Sequence, residues 1–163
     1  MSNIQSEPMV MPELKLEKLF YLEAKCDPII PVGDVGKGVL NIYPIRNGYF
    51  EGEKLRGTIL PIGADWNYMY PDGVDVMDTR YALQTDDGAV ISISTNGRYL
   101  IDPEMDKALD RGEFIDPNLY YFRQHLFFET GHEKYRWLNG AIAFAVMAIK
   151  PTGEICYTAY ALV

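Results

Sequence analysis

Three arginines in this sequence sit in the middle of strand-like segments, away from turns, and each has a carboxylate or an aromatic within reach along the chain. Side chains in a strand alternate between two faces. In residues 76–84, Asp78, Arg80, Ala82 and Gln84 share one face, and Met77, Thr79, Tyr81 and Leu83 share the other. In residues 121–129, Tyr121, Arg123, His125, Phe127 and Glu129 share one face, opposite Phe122, Gln124, Leu126 and Phe128. Residues 54–60 set Arg56 and Thr58 against Leu55, Gly57 and Ile59. A mid-strand arginine either faces water or is buried beside a carboxylate, here Asp65, Asp78 or Glu129. Two readings follow: a solvated sheet face with cross-strand ion pairs, or a polar interior gathered around a ligand.

In the second reading the chemistry is acid–base. Glu129 or Asp65 would be the general acid or base, its pKa set by desolvation on one side and a neighbouring arginine on the other. Arg56, Arg80 or Arg123 would hold a carboxylate, phenolate or developing oxyanion. Tyr81 or Tyr121 would donate a proton, and Trp66 and Trp137 would form a stacking wall. His125 shares its face with Arg123 and Glu129 and is a further acid–base residue to weigh against a structural role. Tyr68, Tyr70, Tyr120, Phe127 and Tyr135 add to a dense aromatic set, which fills a core in one reading and suits an aromatic or phenolic ligand in the other.

The elements that must position these residues are mostly strands. Alternation or β-rich composition marks residues 14–24, 39–45, 49–52, 54–60, 65–70, 76–85, 89–95, 120–129, 139–149 and 155–163. Turn chemistry separates them at Arg46-Asn47-Gly48, Pro71-Asp72-Gly73, Asp86-Asp87-Gly88 and Pro151-Thr152-Gly153. Residues 27–38 are rich in Pro and Gly and read as a loop, and residues 132–139 as a turn or single helical turn. Residues 103–111 form the one short helix expected, with Asp102 as N-cap and Pro103 at its first position. The expected fold is all-β: an antiparallel barrel of about eight to ten strands with a central cavity. Residues 1–13 are expected to be a flexible arm before one domain over residues 14–163.

Composition narrows the partners. The chain of 163 residues has a formal net charge of -8, which repels nucleic acid and anionic lipid surfaces. Cys26 and Cys156 form no CxxC pair and have no histidine partners for zinc, so neither a metal nor a disulfide framework is expected. No stretch approaches a membrane span, and residues 1–12 lack the signature of a signal peptide. A cytoplasmic location is the expectation. Phosphate-binding loops, dinucleotide fingerprints and the GxSxG elbow are missing from the sequence, so no cofactor is expected.

The order of several short pieces carries a resemblance. They are Gly48-Tyr49-Phe50-Glu51-Gly52, Leu55-Arg56-Gly57, Gly63-Ala64-Asp65-Trp66, Pro71-Asp72-Gly73, Asp78-Thr79-Arg80-Tyr81 and Thr85-Asp86-Asp87-Gly88-Ala89. Tyr121-Phe122-Arg123, Phe128-Glu129-Thr130-Gly131 and Tyr135-Arg136-Trp137-Leu138-Asn139 complete the series. Together they resemble the family called domain of unknown function 3237, or uncharacterised protein family 0311, over residues 14–163. The resemblance implies a compact β-barrel with a central cavity. It places recurrent polar positions on Arg56, Asp65, Trp66, Asp78, Arg80, Tyr81, Arg123, Glu129, Trp137 and Asn139. His132 departs from the family, which usually carries an aspartate there.

The function that fits these readings is a cofactor-independent enzyme of isomerase, cyclase, hydratase or lyase type, acting on a small aromatic or polyketide-like compound. Glu129, Asp65, Arg56, Arg80 and Tyr81 would carry the chemistry. Trp66, Asp78, Tyr121, Arg123, His125, Trp137 and Asn139 would bind substrate. The alternative is a carrier that sequesters a small molecule unchanged, and a third reading makes the polar face an interface of a homodimer. The readings part on whether Arg56, Asp65, Arg80 and Glu129 converge on one cavity.

Overall fold

Alternation along nine strands, with turn chemistry between them, builds one antiparallel sheet that closes on itself in the computed structural model, which describes residues 7–163. The strands are β1 (Leu16–Cys26), β2 (Ile30–Asp34), β3 (Val39–Glu51), β4 (Arg56–Met69), β5 (Asp75–Thr85), β6 (Val90–Leu100), β7 (Tyr121–Glu129), β8 (Ala143–Ile149) and β9 (Ile155–Leu162). Their order is β1-β9-β8-β7-β6-β5-β4-β3-β2, and pairing of β1 with β3 closes an eight-stranded barrel with β2 as an extra edge strand. Closure leaves few free edges for a stray strand to pair with.

Two pairs of expected strands are single bent strands. Residues 39–45 and 49–52 merge into β3, because Arg46-Asn47-Gly48 is a bulge and not a turn; register slips there against both neighbours. Residues 54–60 and 65–70 merge into β4, with a bulge between Ile59 and Gly63. Gly63 holds φ at 137°, and a Cβ there would lie 2.3 Å from the Arg80 carbonyl oxygen, so the bend needs glycine. β2 arises inside the expected loop, and its Pro31 is tolerable because β2 hydrogen-bonds to β3 alone. Residues 7–15 form no regular element and are exposed over 7–14; the first six residues of the expected arm lie outside the described residues.

Among the described residues the one α-helix, α1 (Pro103–Asp110), starts as expected: the Asp102 carboxylate accepts from the Glu104 N–H at 2.9 Å. It lies at one end of the barrel, tied by the Tyr99 hydroxyl donating to Asp106 at 2.8 Å. A 3-10 segment, Glu133–Gly140, lies at the other end, where the Tyr135 hydroxyl and the Lys134 ammonium both meet Asp87. Those contacts hold the exposed Asp87 carboxyl well below the usual carboxylate range, the lysine having the largest effect and the Thr85 hydroxyl the next.

The interior is packed with apolar side chains over much of its length. Phe20, Phe50, Leu83, Ile91, Ile93 and Leu126 are essentially inaccessible to solvent. Phe20 meets Phe50 and Phe128 edge-on, at centroid separations of 5.6 and 6.2 Å. Alanines 143, 145, 159 and 161 on β8 and β9 make room for these rings. Phe20→Ala is expected to destabilise the fold by about 3–5 kcal/mol. Urea denaturation of the two proteins measures it.

Candidate functional site

Closure decides which face of each strand turns inward, and on β5 and β7 it is the apolar face. Met77, Thr79, Tyr81, Leu83 and Thr85 are buried on β5, while Asp78, Arg80 and Gln84 are exposed. Phe122, Gln124, Leu126 and Phe128 are buried on β7, while Tyr121, His125, Phe127 and Glu129 are exposed and Arg123 is half-buried. The expected convergence of Arg56, Arg80 and Glu129 on one interior pocket is therefore corrected. Six inward apolar side chains on two strands outweigh any benefit of burying four charges, whose desolvation costs several kcal/mol each.

The remaining expected residues scatter. Arg56 pairs in solvent with Asp86 at 3.2 Å. Trp66, Tyr121 and Trp137 are 40%, 52% and 42% exposed, so none forms an interior stacking wall. His125 packs against Phe144 on the outer surface at a centroid distance of 4.9 Å. Asn139 closes the β7 loop through both of its amide atoms, with the Thr130 N–H donating to its Oδ1 and its Nδ2 donating to the Thr130 carbonyl. Trp137 and Lys54 meet at the barrel end opposite α1, where they line a shallow surface hollow. Only Asp65 and Tyr81 of the expected catalytic residues point inward.

Asp65 anchors a polar cluster that the sequence reading did not assemble. It lies on β4 between Tyr43 of β3 and Thr79 of β5 in the ladder. The Thr79 hydroxyl donates to its carboxylate at 2.8 Å. Two residues along β4, Asn67 is buried, and across the start of β5, Asp75 sits directly opposite Tyr99 of β6. Tyr99 carries the cluster on to Asp106 of α1. Thr95 lies opposite Thr79, and Gln124 of β7 opposite Gly97; both are buried. These residues gather inside the α1 end of the barrel, half-buried at Tyr43, Asp65, Asp75 and Asp106 and fully buried at Asn67, Thr79, Thr95 and Gln124.

Burial sets the protonation behaviour of this cluster. Desolvation pushes Asp65 up to about 6, against the opposing pull of the Thr79 hydroxyl and the Asp78 backbone; the carboxylates of Asp78 and Asp75 push the same way as burial. Desolvation also pushes Asp75 up to about 6, aided by Asp106 and opposed by the Asn67 amide. Tyr43 rises to about 12, through burial first and then the fields of Asp75, Asp65 and Asp106. Cys26 rises to about 11 by burial and the nearby Asp65 carboxylate, which keeps it a thiol. Deeper along β5, the Tyr81 and Tyr157 hydroxyls share a 2.5 Å hydrogen bond, and burial drives both phenols far above the usual range.

A groove of about 740 Å³ opens on the outer surface at the same end, lined by Asp72, Leu100, Asp102, Asn118, Tyr121 and Arg123 among others. Arg123 there is held by the Phe122 carbonyl and the Tyr121 ring. Asp72, Asp102 and Tyr121 are exposed, so the groove lacks the desolvation that perturbs Asp65 and Asp75. Among the described residues, no group of three or more His, Cys, Asp and Glu side chains is arranged to hold a metal ion, and no helix is long and apolar enough to cross a membrane.

A closed antiparallel barrel with an acidic, half-buried polar end defines the class. The chain belongs to the family described as protein of unknown function (DUF3237), which matches residues 14–162. A UPF0311 protein of Rhodopseudomonas palustris is 38% identical over 127 residues, covering 78% of this chain and 83% of that one. Among solved structures, a β-barrel-like protein of Acinetobacter baumannii superposes with a TM-score of 0.83 at 37% identity, over 96% of this chain and all of the other. An enzyme from Penicillium herquei superposes with a TM-score of 0.70 at 20% identity, over 98% of this chain and all of the other. That last likeness is one of fold alone.

The missed residues had a signal in the sequence. Thr79 lies on the face of β5 that also carries Met77, Tyr81 and Leu83, the face that a barrel must turn inward. Following that face across the ladder leads from Thr79 to Asp65, Tyr43 and Thr95.

The raised Asp65 pKa carries a stability consequence. The folded protein binds this proton more tightly than the unfolded chain, so the contribution is favourable below about pH 4 and is lost as pH rises through about 6. Asp65→Asn is therefore expected to stabilise the protein at pH 7.5 by about 1–2 kcal/mol. Little gain is expected at pH 4, and denaturant midpoints at the two pH values check the difference.

Proposed function

We propose that the α1 end of the barrel is the site of a cofactor-independent acid–base enzyme acting on a small molecule, with Asp65 moving the proton. The carrying observation is the Asp65 carboxyl, inward-facing, positioned by the Thr79 hydroxyl, and raised by burial to about 6. A base with a pKa near the working pH combines a usable ionised fraction with real basicity. Tyr43, directly across the ladder from Asp65, stays a neutral phenol and can donate a hydrogen bond.

The chemistry that fits is proton abstraction beside a carbonyl. Asp65 takes a proton from a C–H beside the carbonyl, the C–H electron pair forms a C=C bond, and the carbonyl π pair moves onto the carbonyl oxygen. Tyr43 hydrogen-bonds to that developing oxyanion, the part first expected of arginines. Asp65 then returns the proton to another atom of the substrate, which gives an isomerisation, or a cyclisation or elimination where a bond forms or breaks in the same step. The Penicillium herquei enzyme shows that a barrel of this shape can house catalysis; the residue roles proposed here rest on this chain alone. A non-catalytic carrier has the largely apolar interior in its favour.

The test incubates the full-length protein with small-molecule extracts in deuterated water and follows them by mass spectrometry. A compound that rearranges or gains carbon-bound deuterium with the wild type should do so about 10²–10⁴-fold more slowly with Asp65→Asn. Glu129→Gln and Arg80→Gln, altered on the outer face, should keep the wild-type rate. The rate is expected to rise with pH through a limb near 6, as the carboxyl ionises. Equal turnover by Asp65→Asn and wild type would remove Asp65 from the mechanism. A compound that co-purifies and survives long incubation unchanged would favour the carrier.

A further inference from the structure

We infer that the ligand taken by the α1 end of the barrel carries a protonated amine; the inference deepens the site assignment just made and rests on it. Three carboxylates, Asp65 on β4, Asp75 on β5 and Asp106 on α1, lie at this end, and no ion pair among the described residues joins any of them to a cation. The charges acting most strongly on Asp65, Asp75 and Tyr43 are all carboxylates, with Asp78 and Asp110 joining the three.

Arg80, beside Thr79, points outward into solvent, and other cations of this end are engaged outside. Lys37 lies over the Tyr68 ring at 4.1 Å, and Lys107 pairs with Glu104 at 2.7 Å along the exposed side of α1. Arg111 pairs with Glu113 at 2.7 Å and Arg46 with Asp27 at 3.6 Å. Arg98 donates to Asn96 and to the Gly97 carbonyl, and Arg123 to the Phe122 carbonyl. The anion-holding arginines of the sequence reading thus leave behind an interior of the opposite polarity.

A second, independent feature marks the same place as a ligand site. Asn67 is 6% exposed and Thr95 is 3% exposed, yet the Asn67 Oδ1 and the Thr95 Oγ1 have no hydrogen-bond partner among the described residues. A buried polar atom left unpaired costs about 1–3 kcal/mol, so such atoms are normally satisfied. Asn67 lies two residues from Asp65 on the same face of β4, and its side chain also acts on Asp75. Thr95 faces Thr79 across the ladder, one residue pair from Asp65. The unpaired acceptor on Asn67 and the carboxylates together call for a ligand rich in donors. An ammonium group supplies up to three, together with the missing positive charge. A carboxylate or phosphate ligand would add negative charge to an uncompensated acidic site.

A matched set of probes reads the charge preference directly: benzylamine, benzyl alcohol and benzoate, titrated into the full-length protein at pH 7.5 by calorimetry or ligand-observed NMR. Benzylamine is expected to bind about tenfold or more tightly than benzyl alcohol, the gain of one charge-assisted hydrogen bond, with benzoate weakest. Asp75→Asn should lower benzylamine affinity about tenfold while leaving benzyl alcohol little changed. Glu51→Gln, exposed at the far end of β3, should change neither. Should Asp75→Asn fail to fold, as judged by circular dichroism, Asp106→Asn replaces it with the same expectation.

Benzoate binding as tightly as benzylamine, equal effects of Asp75→Asn and Glu51→Gln, or undetectable binding of benzylamine would each overturn the inference. The outcome is separable from the catalytic assignment. Amine-selective binding with unimpaired turnover by Asp65→Asn leaves the ligand class standing and removes the proton-transfer role. Loss of turnover in Asp65→Asn without amine preference does the reverse.

Discussion

The pairing of β1 with β3 is the constraint on which the rest of this structure depends. A nine-stranded open sheet would have two faces, each free to be dry or wet over different regions. Once β1 and β3 join, every strand of the barrel has an inside and an outside, and the period of two along each strand admits no compromise. A residue facing in forces its neighbours to face out. The side of β5 that carries Met77, Tyr81 and Leu83 is the one with more to gain from leaving water, so Asp78 and Arg80 are carried outward with no vote of their own.

The interior that results is uneven along its axis. Rings from Phe20, Phe50 and Phe128 fill one stretch, and the Tyr81–Tyr157 hydroxyl pair is buried within the barrel. Toward α1 the inward positions become Thr79, Thr95, Asp65, Asn67 and Asp75. Helix α1 is held to this end by the same Tyr99 that lies opposite Asp75. A fold selected only for stability would place apolar side chains at such positions, because half-buried carboxylates raised to about 6 cost stability at neutral pH. Carboxyls kept at that cost, beside buried polar atoms without partners among the described residues, are the observations on which the proposed site rests.

The outer surface shows the complementary pattern. Its charges are spread into short exposed pairs such as Arg56 with Asp86 and Lys54 with Glu17, each worth little in water. Tyr21, Tyr49 and Lys150 converge on Glu23 on the outside of β1, where the ammonium holds the carboxyl below its ordinary range. These groups resemble an active constellation in sequence because a mid-strand charge beside an aromatic looks the same whether it faces in or out.

The all-β character, the short helix and its Asp102 cap, the turns at 71–73, 86–88 and 151–153, and the membership of the family were legible in the sequence, because each rests on neighbouring residues: alternation, a capping side chain, a glycine in a turn, an ordered series of short pieces. Whether residues 46–48 turn the chain or merely bulge it depends on strands β1 and β4 lying alongside, and no local pattern holds that information. The Met77, Tyr81 and Leu83 face of β5 pointed inward on its composition, but no single strand states which residues of other strands lie beside it. Only the closed ladder brought Tyr43, Asp65, Asp75 and Asp106 together from four separate elements. Desolvation, which gives those carboxyls their altered acidity, is a property of the enclosure and not of the residues.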